Sequence, residues 1–298
     1  MKNDVERLLE GAYDVHLHAA PCIQQRRHTL YELAGLARDA GMAGFVIKDH
    51  YVPTAMAAQI VQEVVPAVQV RGGVTLARSS GGLDPAAAEI SFRMGGRVVW
   101  MLSLEAEWMF RRMRDPSFPH AKNYQNLGVD GAQHGYTIVR DGALVESVKE
   151  IVSLCCQYDG VLETSHLSPD EARALFAEAQ KQGAHKFVLT HANQAITPYT
   201  LSEQKAYAEK GAYIMYCMAQ YMGKPNEPAE DIAGLARLIQ AVGAAHIVLG
   251  TDFGLPIWPS AIEGMRMMVT ALLQLGISEQ DIRLMVKENP EKLYFETR

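Results

Sequence analysis

Cysteine is scarce in this sequence: Cys22, Cys155, Cys156 and Cys217 are the only four in 298 residues. Two are adjacent, no Cys-x-x-Cys pair exists, and nothing resembles a disulfide framework, which fits a reducing, cytosolic setting. Long apolar runs are missing too. No stretch approaches the roughly 20 apolar residues that a membrane-spanning helix needs, and the opening MKNDVERLLEGAYD has no apolar core of the signal-peptide kind. The formal net charge is −6, with no long basic block. That argues against a general binder of nucleic acid or membrane surface and leaves room for a locally basic pocket. No Ser/Pro-rich linker divides the chain, and the glycine-rich turn of a dinucleotide-binding sheet is absent after the first strand candidate. These absences point to a soluble cytoplasmic protein acting on a small molecule, with no nucleic-acid or membrane partner.

What is present is a regular alternation. Hydrophobic residues make up 48% of the chain and charged residues 21%, ordinary for a globular protein with a large core. Eight short apolar runs lie at 13–18, 44–50, 70–76, 98–103, 160–166, 187–193, 212–218 and 246–252. They are rich in β-branched residues, as parallel strands covered on both faces are. Amphipathic runs of helical length separate them, among them 29–41, 167–183, 228–243 and 259–276. The run at 167–183 offers Ser168 as N-cap, Pro169 at the first helical position, Glu171 to close a capping box and Gly183 as a stop. Eight β-α units in series predict an α/β fold, a closed (β/α)8 TIM barrel, with residues 1–298 as one barrel domain. One connection, at about 105–145 after strand four, is too long for a plain unit. It carries a hairpin signal at Asp141-Gly142. The rest reads as an excursion over one mouth of the barrel, either a lid or substrate-binding segment, or packing against the barrel or a second subunit.

The first strand raises the functional question. Side chains i and i+2 of a strand share a side, with Cα atoms roughly 6–7 Å apart. His16 and His18 can therefore converge on one metal at about 2.0–2.1 Å per nitrogen. Alone the pair says little, since most such strands are structural. The other strand ends add to it: Lys48 and His50 at strand two, His166 at strand five, His191 at strand six and Asp252 at strand eight. In a parallel barrel these C-terminal ends meet at the mouth where active sites of this fold lie. Burying so many imidazoles without a shared partner is costly. Imidazole with carboxylate suits a divalent metal, Zn2+ first, with Mn2+ or Fe2+ as alternatives. The candidate metal ligands are His16, His18, His50, His166, His191 and Asp252.

Taken together, YDVHLHAAP, LETSHLS, LTHAN, GTDFG and the C-terminal VKENPEKLYF resemble the amidohydrolase superfamily of metal-dependent barrel hydrolases over nearly the whole chain. KDHY and ETSHLSPDEA are similar to a poorly characterised branch of it. The resemblance implies a hydrolase whose metal is held by His16, His18, His166, His191 and Asp252, and a homo-oligomer, as these barrels frequently are. It names no substrate. One departure concerns strand four, VVWMLSLEAE, which has no lysine to bridge two ions and has Glu105 and Glu107 only beyond its end. Lys48 and His50 stand instead on strand two, where an Asp-His pair is more like the PHP phosphoesterases. One ion is the base expectation. A second would use His50, with Lys48 carboxylated or, ranked lower because its parity differs from that of His166 unless the strand bulges, Glu163.

The expected chemistry follows. A divalent cation lowers the pKa of its water towards about 7. Asp252 accepts that proton and passes it to the leaving group, while His191 or Lys48 helps polarise a carbonyl. The catalytic candidates are Asp252, His191 and Lys48. Lys48 also reads as an anion clamp, a bridging carbamate or a structural ion-pair partner of Asp14 or Asp49. Arg26, Arg27, Arg78 and Tyr51 are substrate-binding candidates for a small anionic molecule, although each arginine taken singly reads as a solvated loop residue and Tyr51 also reads as packing under its loop. Hydrolysis of an amide, cyclic amide or lactone is the first reading. Non-oxidative decarboxylation, phosphoester hydrolysis and a degenerate barrel that binds without chemistry are the alternatives. His120 and His134 are expected at the surface, His28 and His185 at helix edges, and His246 at the far end of the barrel. Trp100, Cys217 and the methionines of MRMMV (265–269) read as packing.

Overall fold

A computed structural model describes residues 4–115, 118, 135–224 and 229–296. The alternation resolves into parallel strands: strand one Tyr13–Leu17, two Gly44–Ile47, four Val98–Trp100, five Val161–Glu163, six Phe187–Leu189, seven Tyr213–Cys217 and eight Ile247–Gly250. Strand three is split by Gly72 into Gln69–Arg71, which pairs with strand two, and Gly73–Thr75, which pairs with strand four. Neighbours pair in sequence order. The ring closes where Leu17 bridges Phe253, His18 N donates to Phe253 O (2.8 Å) and Asp252 N donates to His16 O (2.7 Å). The fold is the expected (β/α)8 barrel, with helices such as Leu30–Asp39, Ala55–Val64, Pro169–Gln182 and Ala261–Gln274 between the strands. Each strand is shorter than its apolar run, and His18, Lys48, His50, His166, His191 and Asp252 all lie just beyond the strand ends.

Local signals behave as their chemistry requires. Ser168 and Glu171 form both bonds of a capping box, and Gly183, at φ 81°, ends that helix. Asp141 (φ 51°) and Gly142 (φ 77°) turn the two-strand hairpin Val139–Arg140/Ala143–Leu144, as a type I′ turn needs. Helix Glu107–Arg114 of the long connection is tied to the loop after strand six: Trp108 Nε1 donates to Ile196 O (2.6 Å) and Arg112 Nη2 to Ala195 O (3.1 Å). His120 and His134 lie outside the described residues.

The core has two layers. One lies between strands and helices and takes in Leu33, Leu162, Leu175, Met265 and Met268; Met267 of the same methionine run points outward. The other fills the barrel with Val15, Val46, Trp100, Val161, Val188, Met215, Cys217 and Val248. The C-terminal turns Leu284–Glu288 and Glu291–Phe295 close its lower end. Asn289 pins them by donating to the carbonyls of Ala244 (2.9 Å) and Ile247 (2.8 Å). Tyr294 joins the interior layer, and its hydroxyl donates to Glu163 at 2.8 Å. His246 packs near Tyr213 beside strand eight's first residue, His185 is exposed, and His28 is partly exposed by Glu32. All four cysteines are free, and no described helix is long and apolar enough to cross a membrane.

Candidate active site

Five imidazoles and a carboxylate meet at the C-terminal mouth. The rings of His16 and His18 are 5.7 Å apart, as same-side positions on one strand should be. His18 stacks on His50 at 4.7 Å, His50 lies 6.3 Å from His166, His166 5.1 Å from His191, and His191 6.0 Å from His16. Asp252 Oδ1 is 3.1 Å from His18 Nε2 and 3.7 Å from His16 Nε2. His16, His18 and Asp252 each offer a ligand atom, all within 4.8 Å of one another. A cavity of about 430 Å³ opens here, its walls including His18, Lys48, His50, His166, His191 and Asp252.

Backbone detail turns these side chains inward. The register of strand one slips between Asp14 and Leu17. Ser165 (φ 50°), His191 (φ 35°) and Asp252 (φ 55°) occupy the left-handed region that non-glycine residues avoid, each just beyond a strand end. Such strain persists where surrounding contacts over-determine it, and it clusters at functional sites. The turn at Ser165 also breaks the alternation after strand five, so the parity objection to Glu163 fails. Glu163 is buried, accepts from Thr190 (3.0 Å) and Tyr294, and lies 4.0 Å from His16 Nδ1. Asp14 clamps the closing strands: it accepts from His16 N (3.1 Å), Thr251 N (3.0 Å) and Thr251 Oγ1 (2.5 Å). The glycines of GTDFG make the close approach possible. A Cβ on Gly250 would stand 2.9 Å from His16 Cβ, and one on Gly254 2.7 Å from His18 Cβ.

The electrostatics favour a cation. Burial holds His18 and His191 down at about 4 and His16, His50 and His166 well below the ordinary imidazole range, with Lys48 adding to the effect on each. The rings are therefore neutral, the form that ligates metal. Burial pushes the Asp252 carboxyl up, but the hydrogen bond with His18 and the imidazoles gathered around it outweigh that effect and leave the group well below the usual carboxylate range. Burial raises Asp14 and Glu163 to about 7. His16 Nδ1 and Nε2, His18 Nδ1 and His166 Nδ1 are buried without a hydrogen-bond partner among the described residues. Orphaned buried nitrogens are costly, and neutral imidazoles around one carboxylate are a donor set that fits a divalent metal.

The remaining candidates separate. Lys48 is 1% exposed, its pKa is lowered by burial, and its Nζ has no hydrogen-bond partner among the described residues. The structural ion pair considered for it does not form, because Asp14 is engaged by Thr251 and Asp49 accepts from the amides of Tyr51 (2.8 Å) and Val52 (3.1 Å). Of the four substrate-binding candidates, Arg26 reaches the cavity. Arg27 instead donates to Pro256 O (2.8 Å) and stitches two loops. Arg78 lines a separate cavity with Arg140, where its Nε meets the Tyr136 hydroxyl (3.4 Å). Tyr51 is buried beneath its loop, 6.2 Å from the His50 ring, and is not part of the cavity wall. Sequence reasoning missed Ser103, whose hydroxyl lies 3.0 Å from His50 Nδ1, and the outer wall formed by Gln24, Leu255 and Trp258. Ser103 was findable as the residue ending the fourth apolar run; the outer wall, built from separate loops, carried no local signal.

The solved structures of similar fold include an amidohydrolase from Pseudomonas aeruginosa, with 13% identity, TM-score 0.61 and 97% of each chain covered. A probable dipeptidase from Pseudomonas aeruginosa has 12% identity and TM-score 0.65, covering 97% of this chain and 96% of that one. A probable 2-pyrone-4,6-dicarboxylic acid hydrolase from Acinetobacter baumannii has 12% identity and TM-score 0.55, covering 95% and 98%. What this chain shares with them is the barrel fold. No curated protein matches the sequence. The family described as a family of unknown function (DUF6282) matches residues 11–215, more than half of the chain, from the strand that carries His16 to the one that follows His191, and this protein belongs to it.

Proposed function

We propose that this protein is a metal-dependent hydrolase that cleaves an amide, cyclic amide or lactone of a small anionic molecule. One observation carries the reading: buried ring nitrogens without partners surround an ionised carboxylate at the C-terminal mouth of a barrel. His16, His18, His166, His191 and Asp252 hold one divalent cation in this reading, Zn2+ first on the donor set, with His50 available to a second. When bound, the cation supplies Lewis acidity that acidifies a water and polarises a carbonyl. Asp252, ionised and 23% exposed, takes the proton of the attacking water and returns it to the leaving nitrogen or oxygen. Lys48 brings an unpaired positive group to the cavity wall, where it stabilises negative charge developing on the carbonyl oxygen. His191, in the wall of the same cavity, helps orient that carbonyl.

The names of the fold relatives support hydrolysis, and the pyrone-dicarboxylic acid hydrolase acts, by its name, on an anion. The phosphoester reading has lost part of its motive, since only Arg26 of the three arginines lines the cavity. Elemental analysis of the wild type, His16→Ala and Asp252→Asn, joined to an assay of carboxylated lactams, lactones and N-acyl amino acids, tests the proposal. About one ion per chain, its loss in His16→Ala, and water uptake into the product are expected. A wild type that takes up no metal overturns the site, and release of carbon dioxide without water uptake overturns hydrolysis.

A further inference from the structure

Above the histidines, the cavity wall changes character. The loop after strand one contributes Ile23, Gln24 and Arg26, and the loop after strand eight contributes Leu255, Pro256 and Trp258. Arg26 has no carboxylate within ion-pair distance among the described residues. Its Nε and Nη2 are buried without a hydrogen-bond partner, and so is Nε2 of Gln24. The Cys22 thiol lies against the guanidinium, and sulfur is only a weak acceptor. Nε–H and Nη2–H are the parallel pair along one edge of a guanidinium, the edge that receives both oxygens of a planar carboxylate at once. Leaving that edge unfilled and out of water costs free energy comparable to lost charge-assisted hydrogen bonds. The cost falls on a residue that lines the same cavity as His18, Lys48 and His50.

We infer that the Arg26 Nε/Nη2 edge, with the Gln24 amide as a third donor, is the subsite for a substrate carboxylate, and that Leu255, Pro256 and Trp258 cover an apolar body next to it. The inference rests on the hydrolase reading and gives it a substrate class: a monocarboxylate with an apolar or ring body, whose scissile carbonyl points down to Lys48 and Asp252. A planar two-oxygen anion matches this edge. A phosphoryl group brings a third oxygen and a larger charge that one fork and one amide do not satisfy. The apolar wall sets the other half of the preference, because a small hydrophilic acid would leave the half-buried Leu255 and the exposed Pro256 facing water.

The test is calorimetric binding of phenylacetate, phenylacetamide and benzylphosphonate to metal-loaded protein, with metal content measured on each sample. The wild type is expected to bind phenylacetate about tenfold or more tighter than the amide, and tighter than the phosphonate. Arg26→Met and Arg26→Lys should both abolish that preference while leaving amide binding and metal content unchanged, because lysine restores the charge and not the fork. Gln24→Leu should weaken phenylacetate by a smaller factor. Equal binding of acid and amide, no binding of the acid, a preference for the phosphonate, or full retention of the preference in Arg26→Lys each overturns the subsite. These outcomes are separable from failure of the hydrolase reading, which shows as absent metal whatever the binding preference.

Discussion

Lys48 is an amine taken out of water and given no partner. Nothing in the packing of strand two requires this, and an apolar side chain of similar length would satisfy the same space. Lys48→Met is therefore expected to raise the unfolding free energy by about 1–3 kcal/mol through relieved desolvation, and the unfolding midpoint with it. It should also lower turnover on a hydrolysable substrate by about 100-fold. Thermal melts and steady-state rates on one preparation check both; a lower midpoint in the variant would mean that the ammonium has a structural partner. Asp252 makes the complementary case. Asp252→Asn keeps an oxygen that can face a metal and loses the proton acceptor, so metal content should stay near that of the wild type while the rate falls about 10²–10⁴-fold. Full turnover with metal retained would remove Asp252 from the proton path.

Between residues, the elements hold the site through a few backbone devices. Strand eight can press against strand one because Gly250 has no side chain to meet His16. Gly250→Ala should push the His16 ring out of place and weaken metal affinity by about 10–100-fold with the circular dichroism spectrum unchanged. Unaltered affinity would show that the ring has room to give. Glu171 has a dual part at the start of helix Pro169–Gln182. One oxygen closes the capping box on Ser168, and the other accepts from Thr137 Oγ1 (2.7 Å) and Ile138 N (3.2 Å), where the long connection returns to the barrel. Ser168→Ala should cost about 1 kcal/mol in urea unfolding, and Glu171→Ala about 2–3 kcal/mol because two sets of bonds are lost. Equal costs would mean that the Thr137 side contributes nothing.

Over the whole molecule, the mouth makes stability depend on pH. His18 and His191 have folded-state values of about 4 against 6.5 for free imidazole. Between those values the folded chain binds fewer protons than the unfolded one. Their contribution is thus complete above pH 6.5 and is lost as pH falls through about 4. His16, His50 and His166 shift in the same direction. Asp14 and Glu163, raised to about 7, act with the opposite sign, since the folded chain binds more protons below that value. Five imidazoles against two carboxyls leave a net loss on acidification. Denaturant midpoints should fall between about pH 6.5 and 4, more steeply for metal-loaded than for chelated protein, because protons compete for the same nitrogens. A midpoint that rises on acidification in the chelated protein would contradict the buried, neutral rings.

The sequence by itself determined the barrel and which side chains gather at its mouth. Strand periodicity, caps and turn residues are local, and a parallel barrel carries every strand's C-terminal end to one mouth, so His16, His18, His166, His191 and Asp252 could be gathered without coordinates. Only the tertiary structure decided how the remaining groups divide. Arg26, Arg27 and Arg78 are chemically alike in the sequence, and loop paths alone send one to the cavity, one to a loop carbonyl and one to a different cavity. The place of Glu163 also depended on the backbone, because strand parity ends where Ser165 turns left-handed, an event that residue type does not announce. Whether Lys48 had a partner also depended on which carboxylates lay within reach and were already engaged, a matter of distances between strands far apart along the chain.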